Sequence, residues 1–161
     1  MYRFAALPLP TNTITECGII MLLEEILKEI EKDSIIDITR LDTAGLDAPR
    51  LHGKWIRRLS EERIVARGLE VEIAELVKQR QLYYMGKLPD EAYKAEPLHH
   101  KVLKQDLNIW MDSDKQLNAL KNRLYTQTLK ISAIESFLKE LSQRSFHIRN
   151  TIEYIKYQQG I

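Results

Sequence analysis

The sequence predicts an all-α fold, a helical N-terminal region followed by one long C-terminal helix that assembles a homo-oligomer. Three observations carry this reading. Six Gly and five Pro punctuate 161 residues, too few turn signals for an all-β chain. Apolar residues recur at helical spacing from Leu51 to Leu76. From Leu98 to Gln159 there is neither Gly nor Pro. A composition 44% hydrophobic and 29% charged is foldable rather than disordered. The length allows one core, with room for an oligomerisation element.

Residues 1–20 do not share this pattern. They hold a short apolar patch broken by Pro8 and Pro10, then a polar Thr/Asn stretch. The patch lacks the form of a secretory signal, and no run reaches the ~18 apolar residues of a membrane span. The expectation is an N-terminal extension or a misassigned start, with Met21 as the natural beginning. From Met21, LLEEILKEIEKD reads as an acidic amphipathic helix with Leu23, Ile26, Leu27 and Ile30 on one face. The β-branched run SIIDITRL then reads as an extended segment or a helix start. Asp47-Ala48-Pro49 has the form of a helix entry, with a capping residue and a proline in the first turn. That helix runs on Leu51, Trp55, Leu59, Ala66, Leu69, Ile73 and Leu76, tolerates Gly68, and ends at Gly86 and Pro89. Residues 21–97 thus form the N-terminal helical region and 98–161 the C-terminal one.

Ser113-x-x-Gln116 resembles a capping box and puts the start of the last helix near Asp114. The helix then keeps heptad time. Its a positions are Leu117, Leu124, Ile131, Leu138, Ser145 and Ile152. Its d positions are Leu120, Gln127, Ile134, Leu141, Ile148 and Ile155. Ten of these twelve are Leu or Ile, over roughly 58 Å at about 1.5 Å per residue. Such a face can pack in the monomer's own core or against other copies. The remaining helix reads as too short to cover it, which favours self-association through these ten apolar residues. Leu and Ile mixed at both positions point beyond a parallel dimer.

The formal net charge is +1, from 24 Lys and Arg against 23 Asp and Glu. That sum hides alternating blocks. Residues 21–48 hold eight acids and three bases, a net of −5, and residues 49–87 hold nine bases and five acids, a net of +4. Residues 88–114 net −3 and residues 115–161 net +5. Basic blocks of this density can attract a polyanion.

No catalytic motif is legible: there is no Walker loop, G-x-S-x-G or H-E-x-x-H, so the chain is not expected to be an enzyme. No metal or cofactor is expected either. His99 and His100 are adjacent, so their rings diverge on a helix, and His52 and His147 lack partners at helical spacing. A single cysteine, Cys17, excludes a disulfide framework and fits a reducing cytoplasm.

The informative stretch is Lys78-Gln79-Arg80-Gln81-Leu82-Tyr83-Tyr84-Met85-Gly86. Cations neutralise phosphates, and rings stack on bases without regard to sequence, at about 1–3 kcal/mol per base. Lys78, Arg80, Tyr83 and Tyr84 are therefore candidate contacts for single-stranded nucleic acid. On a regular helix Arg80 and Tyr84 share a face, whereas Lys78 points about 200° away from Arg80. By composition alone the two tyrosines serve equally well as core packing. Lys54, Arg57 and Arg58, followed by Arg63 and Arg67, form a second basic strip or a solvated face.

From Met21 onward the chain resembles the T-even phage recombination mediator family, UvsY. The resemblance rests on MLLEEILKEIEKD, Ile36-Asp37, Lys54-Trp55 and Lys-x-Arg-x-x-Tyr-Tyr-x-Gly at 78–86. Val77, Gln79 and Gln81 depart from the family's more usual Leu-Lys-Ala-Arg-Leu, as do residues 1–20. The resemblance implies single-stranded DNA binding to which Lys78 and Arg80 contribute, and a homo-oligomeric ring built through C-terminal helices. It implies two partners besides DNA, a RecA-like phage recombinase and the phage single-strand-binding protein, and a site of action in the cytoplasm of the infected bacterial host. A ring would link weak sites at high effective concentration. The alternative from another class is a scaffolding coiled-coil oligomer that binds no DNA.

Overall fold

A computed structural model describes residues 16–98, 100 and 102–160. The described residues form helices and connecting turns, without strands. Helix α1 spans Glu16–Ser34, α2 Leu41–Tyr84, α3 Asp90–Ala95, α4 Leu107–Asp112 and α5 Lys115–Gln159. Helix α1 thus begins five residues before Met21; the rest of the expected extension, residues 1–15, lies outside the described residues. No helix among them is long and apolar enough to cross a membrane.

The SIIDITRL run resolves into both forms the sequence allowed. Asp37 is extended and accepts a hydrogen bond from the Thr39 N–H, capping a 3₁₀ turn over Ile38–Arg40 that leads into α2. Helix α2 therefore starts before Pro49, which lies inside it rather than in its first turn. The proline forfeits one backbone hydrogen bond there, and the helix continues through it. The 44 residues of α2 and the 45 of α5 correspond to about 66 and 67 Å of rod.

Helix ends follow local chemistry. Gly86 adopts φ 70°, so its N–H reaches the Tyr83 carbonyl at 3.0 Å and the Lys87 N–H reaches that of Leu82 at 2.9 Å. This paired closure needs a left-handed residue that glycine supplies without a Cβ clash. Gly160, φ 72°, ends α5. Asp114, not Ser113, caps the start of α5 by accepting from the Leu117 N–H; Ser113 instead donates to the Trp110 carbonyl.

Helices α2 and α5 lie antiparallel, with Arg80 beside Asp114, Glu62 beside Gln127 and Trp55 beside Phe137. This pairing corrects the expectation that the heptad face lacks an intramolecular partner. Because α2 begins at Leu41, it is long enough to cover one flank of α5. Leu117, Ile134, Leu141 and Ile148 are buried inside the monomer, as are the flanking Phe137, Lys130 and Arg144. Leu120, Leu124, Ile131, Leu138 and Ile155 are half-buried, and Ile152 is exposed.

Two apolar clusters hold the hairpin. One joins Ile26 of α1, Leu51 and Trp55 of α2, and Ile134, Phe137 and Leu141 of α5. Trp55 and Phe137 meet edge to face with centroids 5.2 Å apart. The other joins Tyr83, Tyr84, Met111 and Leu117 at the opposite end. Between them lies a buried polar layer. Gln127 donates to the Glu62 carbonyl and carboxylate at 2.9 and 2.5 Å, and Lys130 lies 4.0 Å from that carboxylate. An amide bonded this way pairs one position of α5 with one of α2, and sliding either helix would strand buried polar groups.

Candidate nucleic-acid interface

The Lys-x-Arg-x-x-Tyr-Tyr-x-Gly motif occupies the last turns of α2, packed against the 85–113 connection and the start of α5. Its residues separate. Lys78 is exposed and has no ion pair among the described residues. Arg80 is buried, on the face turned about 200° away.

Arg80 is held from three directions. Its Nε donates to Asp114 Oδ2 at 2.5 Å. Nη1 and Nη2 grip both oxygens of Glu96 at 2.9 and 3.0 Å, and Nη2 also reaches the Tyr84 hydroxyl at 3.4 Å. This two-point grip on a carboxylate is the strong form of an arginine ion pair. The guanidinium carbon sits 4.5 Å from the centre of the Tyr83 ring and 5.2 Å from that of Tyr84. Tyr84 donates to Asp114 Oδ2 at 2.8 Å, and Asp114 Oδ1 accepts from the Leu117 N–H at 3.0 Å.

The electrostatics agree with this closed arrangement. Burial alone would lower the Arg80 pKa, but the hydrogen bonds it donates to Glu96, Tyr84 and Asp114 outweigh it, and the guanidinium stays charged. Burial opposes ionisation of Asp114 too, yet the Leu117 N–H, Tyr84 and Arg80 hold its carboxyl below the usual range. The Tyr84 hydroxyl is pushed up, first by burial. One cation faces two carboxylates, so the cluster carries a formal charge of −1 and does not itself attract phosphate.

The tyrosines are equally engaged. Tyr83 donates to the Glu96 carbonyl at 3.1 Å, stacks on Tyr93 at 5.4 Å and meets Tyr84 edge to face at 5.2 Å. Tyr93 in turn donates to the Tyr83 carbonyl at 2.8 Å. Thus Arg80, Tyr83 and Tyr84, read in the sequence as nucleic-acid contacts, lie in the core of this end, because internal carboxylates and rings occupy the surfaces a strand would use. Beside them opens a groove of about 240 Å³ lined by Arg80, Tyr83, Tyr84, Glu96, His100 and Trp110, among others.

The second strip divides in the same way. Lys54 Nζ bonds Asp33 at 2.6 Å and Glu29 at 2.7 Å. Burial would lower its pKa, but these two acids raise it. The Trp55 indole N–H donates to the same Asp33 oxygen at 2.9 Å, so Lys54-Trp55 fastens α1 onto α2. Arg58 lies 3.1 Å from Glu62, Arg63 bonds Glu135 across to α5 at 2.6 Å, and Arg67 pairs with Glu70. Arg57, like Lys78, is exposed and has no ion pair among the described residues.

Sequence reasoning missed Asp33, Glu96 and the second task of Asp114. Asp114 was legible as a cap, but nothing local marks a cap as the partner of an arginine 34 residues away. Nor does a lone Glu96 in a loop announce its grip on α2.

Two long antiparallel helices, clamped at one end by a buried arginine and flanked by exposed cations, define an all-α class. A family model described as "Recombination, repair and ssDNA binding protein UvsY" matches residues 29–161. The chain belongs to that family. The recombination protein uvsY of Enterobacteria phage T4 is 21% identical over 140 residues, 87% of this chain and 99% of the relative. Crystal structures of the bacteriophage T4 recombination mediator protein UvsY have the same fold. One aligns with TM-score 0.74 at 20% identity, covering 85% of this chain and 97% of that one. A second lattice gives 0.71 at 19%, covering 84% and 98%.

Proposed function

We propose that this protein is a recombination mediator. It binds single-stranded DNA and helps a RecA-like phage recombinase load onto strands covered by the phage single-strand-binding protein, in the cytoplasm of the infected host. Membership of a recombination, repair and single-stranded-DNA-binding family carries the reading. Exposed cations without ion-pair partners among the described residues, Lys78 and Arg57, supply its surface chemistry, with Lys54 and Arg58 as neighbours already shared with acids. Such cations release counterions when they meet phosphate, so binding must weaken with salt.

The mediator acts as a homo-oligomeric ring. Large apolar side chains left exposed on both long helices support this: Ile64 and Val65 on α2, and Tyr125, Leu129, Phe146 and Ile152 on α5. The flank of α5 not covered by α2, with Leu124, Ile131, Leu138 and Ile155 half-buried, is the natural seam between copies. Leu117, Ile134, Leu141 and Ile148 support that seam from inside.

Light scattering combined with fluorescence anisotropy of labelled oligo(dT) across a salt series tests both parts. The expected result is an oligomer whose log affinity falls linearly with log salt. An oligomer that binds no oligo(dT) at low salt would instead establish the scaffolding alternative, and a monomer would refute the ring.

A further inference from the structure

The motif's two cations point in opposite directions, and only one of them is available to a strand. We propose that they do separate jobs: Lys78 meets the DNA backbone, while Arg80 is a positioning residue that, through Asp114 and Glu96, fastens the 85–113 connection and the start of α5 beneath it. The Lys78 half rests on the single-stranded-DNA reading above. The Arg80 half stands on geometry.

A phosphate reaching the Nη1–Nη2 fork of Arg80 would have to displace Glu96, and one reaching Nε would have to displace Asp114, whose side chain is only 1% exposed. Displaced from Nε, the Asp114 carboxylate would keep Tyr84 and the Leu117 N–H but lose its charged partner inside the fold, which outweighs one new surface contact. Four of the five guanidinium N–H groups are already committed. The same bonds tie together three pieces of chain: the last turns of α2, the loop after α3, and the cap of α5. Loss of Arg80 therefore loosens the surface around Lys78 without removing a phosphate contact.

Oligo(dT) affinity across a salt series, with amide hydrogen exchange on the same full-length variants, separates the two jobs. Lys78→Ala is expected to weaken binding and to reduce the salt slope by about 0.7, the value of one phosphate contact on a single strand. Arg80→Ala is expected to weaken binding several-fold at an unchanged slope and to speed exchange across 86–113. Asp114→Asn decides the matter, because asparagine still caps a helix while the variant removes a negative charge. If Arg80 touched phosphate, freeing it would tighten binding. The positioning role predicts the opposite: weaker binding, the exchange pattern of Arg80→Ala, and a double variant no worse than either single. Arg80→Lys, which keeps the charge but not the fork, is expected not to restore slow exchange.

Arg80→Ala with a reduced slope and native exchange, or Asp114→Asn binding as tightly as wild type, would overturn the proposal. If Arg80→Ala fails to fold, Asp114→Asn and Tyr84→Phe carry the same comparison. Wild-type protein that binds no oligo(dT) removes the mediator reading and the Lys78 role with it. Exchange across 86–113 then decides the Arg80 role alone: faster in Asp114→Asn upholds it, unchanged refutes it.

Discussion

The two ends of the α2–α5 hairpin solve the same problem with different chemistry. At the Trp55 end a third helix, α1, covers the pair over an apolar cluster; charge flanks that cluster, with Asp33 taking both the Trp55 indole and Lys54 and the buried Arg144 donating to the Asp33 and Ile35 carbonyls. At the Arg80 end no long third helix is available among the described residues. The 85–113 connection closes that end instead, and the ion pair moves inside among Tyr83, Tyr84 and Met111. Apolar burial is tolerant of direction, whereas a buried ion pair demands one geometry. The first end thus depends on volume and the second on orientation.

That contrast can be broken most forcefully at Trp55. Trp55→Ala is expected to cost about 3–5 kcal/mol in denaturant unfolding, because it empties the apolar end and removes the Phe137 edge contact. Asp33→Ala comes next, at about 1–3 kcal/mol, since the buried indole N–H loses its acceptor. A loss as large as that of Trp55→Ala would mean that the flanking charge, not the apolar cluster, holds this end.

Acid sharpens the comparison further. Asp114 and Asp33 both have folded pKa values below their ordinary ones. For Asp33, burial opposes the shift, and Lys54 and Trp55 together outweigh it. In such cases the unfolded chain binds more protons in the acid range. The stabilisation is complete above the unfolded carboxyl value of about 3.9 and is lost as pH falls through the lower folded values. Thermal midpoints are therefore expected to hold from pH 7 to about 5 and fall below about 4. Asp114→Asn should flatten that fall; an unchanged slope would place the acid-labile contact elsewhere. The smallest effect is assigned to Arg67→Ala. Its pair with Glu70 is exposed on one helix, so a change within about 0.5 kcal/mol is expected.

Much of the architecture was legible one element at a time. Gly86 and Gly160 mark helix ends because a left-handed closure needs them, and the Asp114 region marks a start because a carboxylate there can bond free N–H groups. Pro49 misled, since proline at a helix entry and proline tolerated inside a helix look alike locally. The heptad pattern reported which face of α5 is apolar. It could not report that α2 covers one flank of that face, since the length of α2 depends on residues before Pro49.

The candidate site was legible as a motif but not as an arrangement. Lys78 and Arg80 are chemically similar, and the sequence correctly placed them on different faces. Which face turns inward was decided by Asp114 and Glu96, distant acids that a local pattern cannot assign. By itself the sequence determined the helical character, the glycine-marked ends of α2 and α5, the start of α5 and the family resemblance, because these depend on neighbours along the chain. The tertiary structure alone decided which apolar flank is already used, and which of the two cations is buried and which exposed. Those outcomes depend on partners brought together across tens of residues, where burial commits a charge to one partner and withholds it from all others.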